Sequence, residues 1–357
     1  MTHIKQIPED FVVKEIFEKQ KNRHENKEIG FYTWFTLKKT NWDMFRVLKM
    51  ISSRLGVSIK RIGHAGVKDK RAVTYQKISV WNVPVERVKN IKIKDVELSD
   101  FEQKEERINL GDLKGNEFEI TIRDIEPEIK EKIEQNIKKI KKEGFINVFG
   151  KQRFGNRNNT HLVGREILRN DLEEAVLNYL THEGDRVDEF RKNLRETKDF
   201  KTGLKECPRY LRNEIILLNH LAKNSNDYAG ALRRIPKKFR RMFVHAYQSY
   251  IWNEVARISD EDVVPLVGYE TDLSKYSSKK QIEKIMKKED VKISDFKIKS
   301  MPELSSEGAE RNRVMKPKGI KHSFGEDELN DNKIKCVIKF KMEKGSYATV
   351  LIDKVLE

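Results

Sequence analysis

The run His64-Ala65-Gly66-Val67-Lys68-Asp69-Lys70-Arg71-Ala72-Val73-Thr74-Tyr75-Gln76 sets one carboxylate among three cations. Close positive charges favour the ionised form of Asp69, and Lys68, Lys70 and Arg71 offer contacts to the phosphates of an approaching nucleic-acid backbone. An ionised carboxylate is a usable nucleophile or base. Gly-x-Lys-Asp also makes an ordinary turn, so taken alone the run leaves catalysis and a charged loop both open.

Two further segments combine chemistry with backbone freedom. Asn147-Val148-Phe149-Gly150-Lys151-Gln152-Arg153-Phe154-Gly155 holds rings able to stack on a base, glycines that let the backbone approach a ligand, and Arg153. Core packing accounts for one Phe equally well, but less well for Gln152-Arg153 between two Phe-Gly pairs. Lys344-Gly345-Ser346-Tyr347-Ala348-Thr349 reads as a turn leading into a last strand. There Tyr347 either stacks on an extruded base or closes a hairpin.

These segments need elements to position them. Residues 11–16 and 30–37 are rich in β-branched and aromatic types and predict strands, as does 75–80. Asn41 is a candidate cap for a helix carrying Phe45, Leu48, Ile51 and Leu55, stopped by Gly56. Phe118, Ile120 and Ile122 alternate with Glu119, Thr121 and Arg123 as in a half-buried strand. Pro127 opens a helix with an Ile129, Ile133, Ile137, Ile140 stripe, ended by Gly144. From about 165 to 305 the pattern is helical, notably over 210–221 and 240–258. Residues 335–356 return to strands, with Cys336, Ile338, Phe340 and Met342 alternating and 348–352 rich in β-formers. A strand-rich start and end around a helical middle suggests an insertion into one α+β domain. The boundaries read as 1–165 with 306–357 for the strand-rich domain, and 166–305 for the inserted one.

The bulk numbers limit the function classes. At 357 residues two domains are expected, and 73 basic against 57 acidic residues leave a net charge of +16. A field of that sign attracts polyanions, and no window approaches the ~18–20 consecutive apolar residues of a membrane span, which favours nucleic acid over a bilayer. A solubilising surface is the plainer explanation of the same charge. The start Met-Thr-His-Ile-Lys lacks an apolar signal core, and Cys207 and Cys336 form no metal-binding or disulfide pattern, so a cytoplasmic protein is expected. No cofactor motif and no metal site are legible.

Together the three segments, Pro8-Glu9-Asp10-Phe11-Val12-Val13 and Leu110-Gly111-Asp112-Leu113-Lys114-Gly115-Asn116-Glu117-Phe118 resemble, in order, the motif series of the TruD family of tRNA pseudouridine synthases. Phe243-Val244-His245-Ala246-Tyr247-Gln248-Ser249-Tyr250-Ile251-Trp252-Asn253 and Glu307-Gly308-Ala309-Glu310-Arg311-Asn312 extend the likeness over nearly the whole chain. The resemblance implies a V-shaped molecule. One arm is a catalytic domain with a curved mixed sheet flanked by helices; the other is the mainly helical inserted TRUD domain. It implies that Asp69 is the essential carboxylate, that Phe11, Asn147 and Tyr347 surround the target base, and that Phe149 and Lys5 stand near the active site. It further implies action on the uridine at position thirteen of tRNA. The residues themselves, without a cofactor motif, point to a cofactor-independent reaction with Lys68, Lys70, Arg71 and Arg153 as RNA contacts, and with no protein partner implied a monomer is expected.

That reaction detaches uracil from its sugar, rotates it and rejoins it through carbon, so the base must leave its stack and enter a pocket. Two rivals remain at this stage. A non-catalytic RNA-binding protein or chaperone would use the same charges without forming product. An RNA methyltransferase would need a Gly-rich cofactor loop after a strand, and none is convincing here.

Overall fold

The computed structural model describes residues 3–17, 31–184 and 189–357. Its contacts divide the chain into two compact units, Met1–Phe145 with Met315–Glu357, and Ile146–Val314. Both units and their elements give an α+β protein.

The first unit is built on an eight-stranded mixed sheet. Its strands are β1 (Phe11–Ile16), β2 (Tyr32–Thr40), β3 (Ile62–His64), β4 (Val73–Trp81), β5 (Val96–Lys104), β6 (Gly115–Ile125), β7 (Lys318–Glu326) and β8 (Ile334–Glu343). Their order is β7-β8-β6-β1-β4-β2-β5, with β3 paired to β4. The pair β1–β4 is parallel, with Val12 opposite Val73 and Val13 opposite Thr74, while β1–β6 and β2–β4 are antiparallel. Strands from both ends of the chain thus complete one sheet, and β8 pairs with β6 through Phe340–Phe118 and Ile338–Ile120. Gly30, at the head of the second predicted strand, lies outside the described residues.

Helix Met44–Leu55 covers part of this sheet, burying Met44, Val47, Leu48, Ile51 and Leu55 against Phe35, Leu37, Ile78 and Val80. Its cap is Asp43, whose carboxylate accepts from the Arg46 N–H at 2.9 Å, and not Asn41, which has φ 56°. Phe45 is 52% exposed, because the apolar stripe runs through Met44 and Val47 instead. Gly56 ends the helix at φ 64°, where a residue without Cβ is unstrained.

The predicted last strand is a helix, Ala348–Leu356. A short apolar run does not distinguish a buried strand from a buried helix by itself. Here Ala348, Leu351, Ile352 and Val355 are buried at helical spacing, while Asp353 is exposed. This helix packs on Lys130–Glu143, where the amide Nδ2 of Asn136 donates to the Val355 carbonyl at 3.1 Å.

The second unit is mainly helical, arranged around the 22-residue helix Lys237–Ile258. Helix Thr160–Leu168 packs closely on it, since a Cβ on Gly164 would stand 2.0 Å from the Phe243 carbonyl oxygen. Strands Val263–Leu266 and Ala309–Asn312 pair antiparallel. These two packings draw residues 146–165 and 306–314 into the helical unit, so its contacts extend beyond 166–305 at both ends. Among the described residues no helix is long and apolar enough to cross a membrane.

Candidate active site

Asp69 lies in the connection between β3 and β4, where residues 66–69 form no regular element. Side chains hold it in place of a ladder. The Lys5 ammonium donates to its Oδ2 at 2.8 Å, and the carboxylate side chain keeps 37% exposure. Lys5 in turn stands 3.9 Å above the centroid of the buried Phe11 ring, a cation–π contact that orients the ammonium. Three residues named from sequence, Lys5, Phe11 and Asp69, thus meet in one constellation.

The short N-terminal segment carrying Lys5 is itself pinned. His3 and Arg123 exchange backbone hydrogen bonds of 3.1 and 2.8 Å, and Arg71 donates to the Gln6 carbonyl at 2.8 Å. The buried Arg123 guanidinium donates to Asp10 and Asp327, each at 2.7 Å, joining this segment to β6 and to the turn after β7. Burial would raise the Asp327 carboxyl, but bonds donated by the Asp124 N–H, the Asn330 amide, the Leu329 N–H and Arg123 together hold it below the usual carboxylate range.

Two groups at this site were not singled out from sequence. Lys39, fully buried at the end of β2, donates to the Asp69 carbonyl at 2.6 Å. Burial pushes its ammonium down to about 8, opposed by the charges of Asp69 and Asp43 and assisted by Lys68. Glu15, 1% exposed in its side chain, takes the Lys68 ammonium at 2.5 Å and the Lys77 N–H at 3.1 Å. Burial raises the Glu15 carboxyl against the pull of Lys68. A legible signal existed for both. Lys39 continues the inward alternation Phe35, Leu37, and Glu15 continues Phe11, Val13; a charge in an inward register demands a partner.

The three cations beside Asp69 therefore differ. Lys68 is 8% exposed and engaged with Glu15, Arg71 is exposed and holds the N-terminal segment through Gln6, and Lys70 is exposed. Tyr347 is half-buried and caps the start of the last helix. Its loop is hydrogen-bonded toward that of Asp69 in relay. Lys344 donates to the Gly111 carbonyl at 2.9 Å, and the Gly111 N–H donates to the Ala65 carbonyl at 2.8 Å.

Asn147, Phe149 and Arg153 belong to the second unit and form a separate cluster. The Arg311 guanidinium donates to the backbone and side-chain oxygens of Asn147, each at 2.7 Å, and lies 4.1 Å from the Phe149 ring centroid. Arg153 approaches that ring at 5.1 Å and donates to Ser249 Oγ at 3.1 Å. Trp252 meets the ring edge-on, and Asn253 bonds both the N–H and the carbonyl of Phe149. Phe149 is thus buried among partners of its own unit, and Arg311 and Asn253, neither of them singled out from sequence, organise the cluster. Both fall inside motifs already quoted, which was the available signal.

The family model described as tRNA pseudouridine synthase D (TruD) matches residues 1–261 and 256–355. A relative from Methanococcoides burtonii named "Probable tRNA pseudouridine synthase D" is 35% identical over 412 residues, covering 99% of this chain and 92% of its own. One of the same name from Methanosarcina acetivorans is 36% identical with the same coverage. The crystal structure of the protein assigned as tRNA pseudouridine synthase D in Methanosarcina mazei superposes with a TM-score of 0.80 at 35% identity, covering 99% of this chain and 92% of that one. With a matching family model over almost its full length and relatives above 30% identity, the chain belongs to the TruD family of tRNA pseudouridine synthases, which are isomerases.

Proposed function

We propose that this protein isomerises the uridine at position thirteen of tRNA to pseudouridine, with Asp69 as the catalytic carboxylate. The observation that carries the reading is the accessible Asp69 carboxylate gripped at 2.8 Å by Lys5, which is itself seated on Phe11. A carboxylate held by one ammonium is aimed, the requirement for a nucleophile or base toward an extruded nucleotide. The sheet-bearing domain, read as 1–165 with 306–357, carries the reaction, and the inserted domain, 166–305, contributes to RNA binding.

In this reading Tyr347 stacks on the uracil, and Phe11 acts through the lysine it supports. Asn147, whose carbonyl is held by Arg311 over the Phe149 ring, orients polar groups of the bound RNA. Lys70, Arg71 and Arg153 line the RNA path, while Lys68 serves the loop through Glu15. All atoms exchanged belong to the uridine, so the protein's task is to extrude, hold and rotate a base. The enzyme works as a cytoplasmic monomer.

Asp69→Asn is the direct test, read by tritium release from uridine-labelled tRNA and by tRNA affinity. The expected result is no product with affinity largely retained. Wild-type turnover by the variant would sink the assignment, and tRNA binding without product by the wild-type protein would favour a non-catalytic RNA chaperone.

A further inference from the structure

We propose that Lys39 is a positioning residue for Asp69, setting the height of the catalytic carboxylate by bonding the carbonyl of residue 69 from inside the sheet. The inference rests on Asp69 being the reactive carboxylate and adds what holds it. Residues 66–69 belong to no helix or strand, so their geometry depends on anchors at the flanks. The Gly111 N–H takes the Ala65 carbonyl on one side, and the Asn41 N–H takes the Ala72 carbonyl at 3.1 Å on the other. Between them Lys68 reaches down to Glu15, Lys39 reaches up to the Asp69 carbonyl, and Lys5 takes the carboxylate. Residue 69 is thus gripped at its main chain and its side chain by two different ammonium groups.

Stability alone gives little reason for a lysine there. An ammonium is costly to bury, and a neutral carbonyl is a modest partner for it. The charged groups facing Lys39 are Asp69 and Asp43, which favour its ammonium form, and Lys68, which disfavours it. An apolar residue of similar length would fill the same space beneath the loop. What it would not do is fix the carbonyl of residue 69, and a misplacement of about 1 Å at a reacting group costs about 100-fold in rate.

The test is Lys39→Met in the full-length protein, with single-turnover rate, tRNA dissociation constant and melting temperature measured together. The expected result is a rate about 10- to 100-fold lower with affinity unchanged and melting temperature unchanged or higher. A second readout comes from titration. The wild-type rate should fall as pH rises through about 8, where the ammonium becomes an amine that holds the carbonyl by a weaker, uncharged bond, and the variant should lack that limb. Stability should move oppositely. A lysine whose folded value of about 8 lies below its ordinary 10.5 makes the unfolded chain bind more protons between those values, so wild type gains stability over that window and Lys39→Met does not.

A Lys39→Met protein that turns over at the wild-type rate overturns the proposal. So does one whose rate loss is matched by a lowered melting temperature. If the variant does not fold, a wild-type rate that is flat across pH 8 overturns it by itself. An inactive Asp69→Asn beside a wild-type-like Lys39→Met removes this inference alone, whereas an active Asp69→Asn removes the reading beneath it.

Discussion

Lys68 and Lys70 flank Asp69 symmetrically in sequence, yet a buried carboxylate claims one of them and solvent the other. The difference is measurable as two separate losses. Lys68→Met would strand Glu15 inside the protein without its counter-charge, which typically costs about 3–5 kcal/mol. Lys70→Ala removes a solvated cation and should change stability by no more than about 0.5 kcal/mol, while weakening tRNA binding. Denaturant titration of both variants, with tRNA affinity measured alongside, separates the roles. Equal stability losses in the two would contradict the assignment of Lys68 to Glu15. From sequence these lysines were indistinguishable, because nothing local to the run announces that Glu15, 53 residues earlier, is waiting for a partner.

Elements were legible wherever one face is buried and the other is wet. Strand β6 and helix Lys130–Glu143 stand where their alternation and their Ile stripe placed them, and Gly144 ends the helix. Legibility failed where apolar residues were too few or too dense to show a period. Ala348–Leu356 carries β-branched residues that favour a strand in isolation, and packing on a neighbouring helix overrode that preference. Its length and its buried positions 348, 351, 352 and 355 were the better guide. The site shows the same limit. Asp69, Lys5 and Phe11 come through motif resemblance, whereas Lys39 and Glu15 are legible only as charges in an inward alternation, and it takes the fold to show that their partners are the Asp69 carbonyl and Lys68. Packing between helices offers a test with a counterintuitive sign. Gly164→Ala on an open helix would stabilise by about 1 kcal/mol. Here the added methyl would press on the Phe243 carbonyl, so a loss of about 1–3 kcal/mol is expected, visible as a lowered melting temperature. A raised melting temperature would mean that the two helices can separate at no cost.

At the scale of the whole molecule the chain combines a surplus of +16 charges with surface ion pairs such as Lys339–Glu119 and Lys341–Glu117 on neighbouring strands. Paired lysines contribute little to the field outside, so any attraction for RNA would rest on cations such as Lys70 that no carboxylate claims. A surplus that works in binding and one that serves solubility alone predict different salt behaviour. If the surplus neutralises phosphates, the logarithm of tRNA affinity should fall linearly with the logarithm of salt concentration, each contact adding roughly 0.7–0.9 to the slope. Six or more contacts would lower affinity about 1000-fold or more between roughly 50 and 200 mM salt. Lys70→Ala should flatten that slope by about one contact, while Lys68→Met, its charge already neutralised inside the protein, should leave the slope unchanged in whatever fraction remains folded. A slope near zero in the wild-type protein would assign the surplus to solubility. A slope that drops equally in both variants would mean that Lys68 leaves Glu15 when RNA arrives.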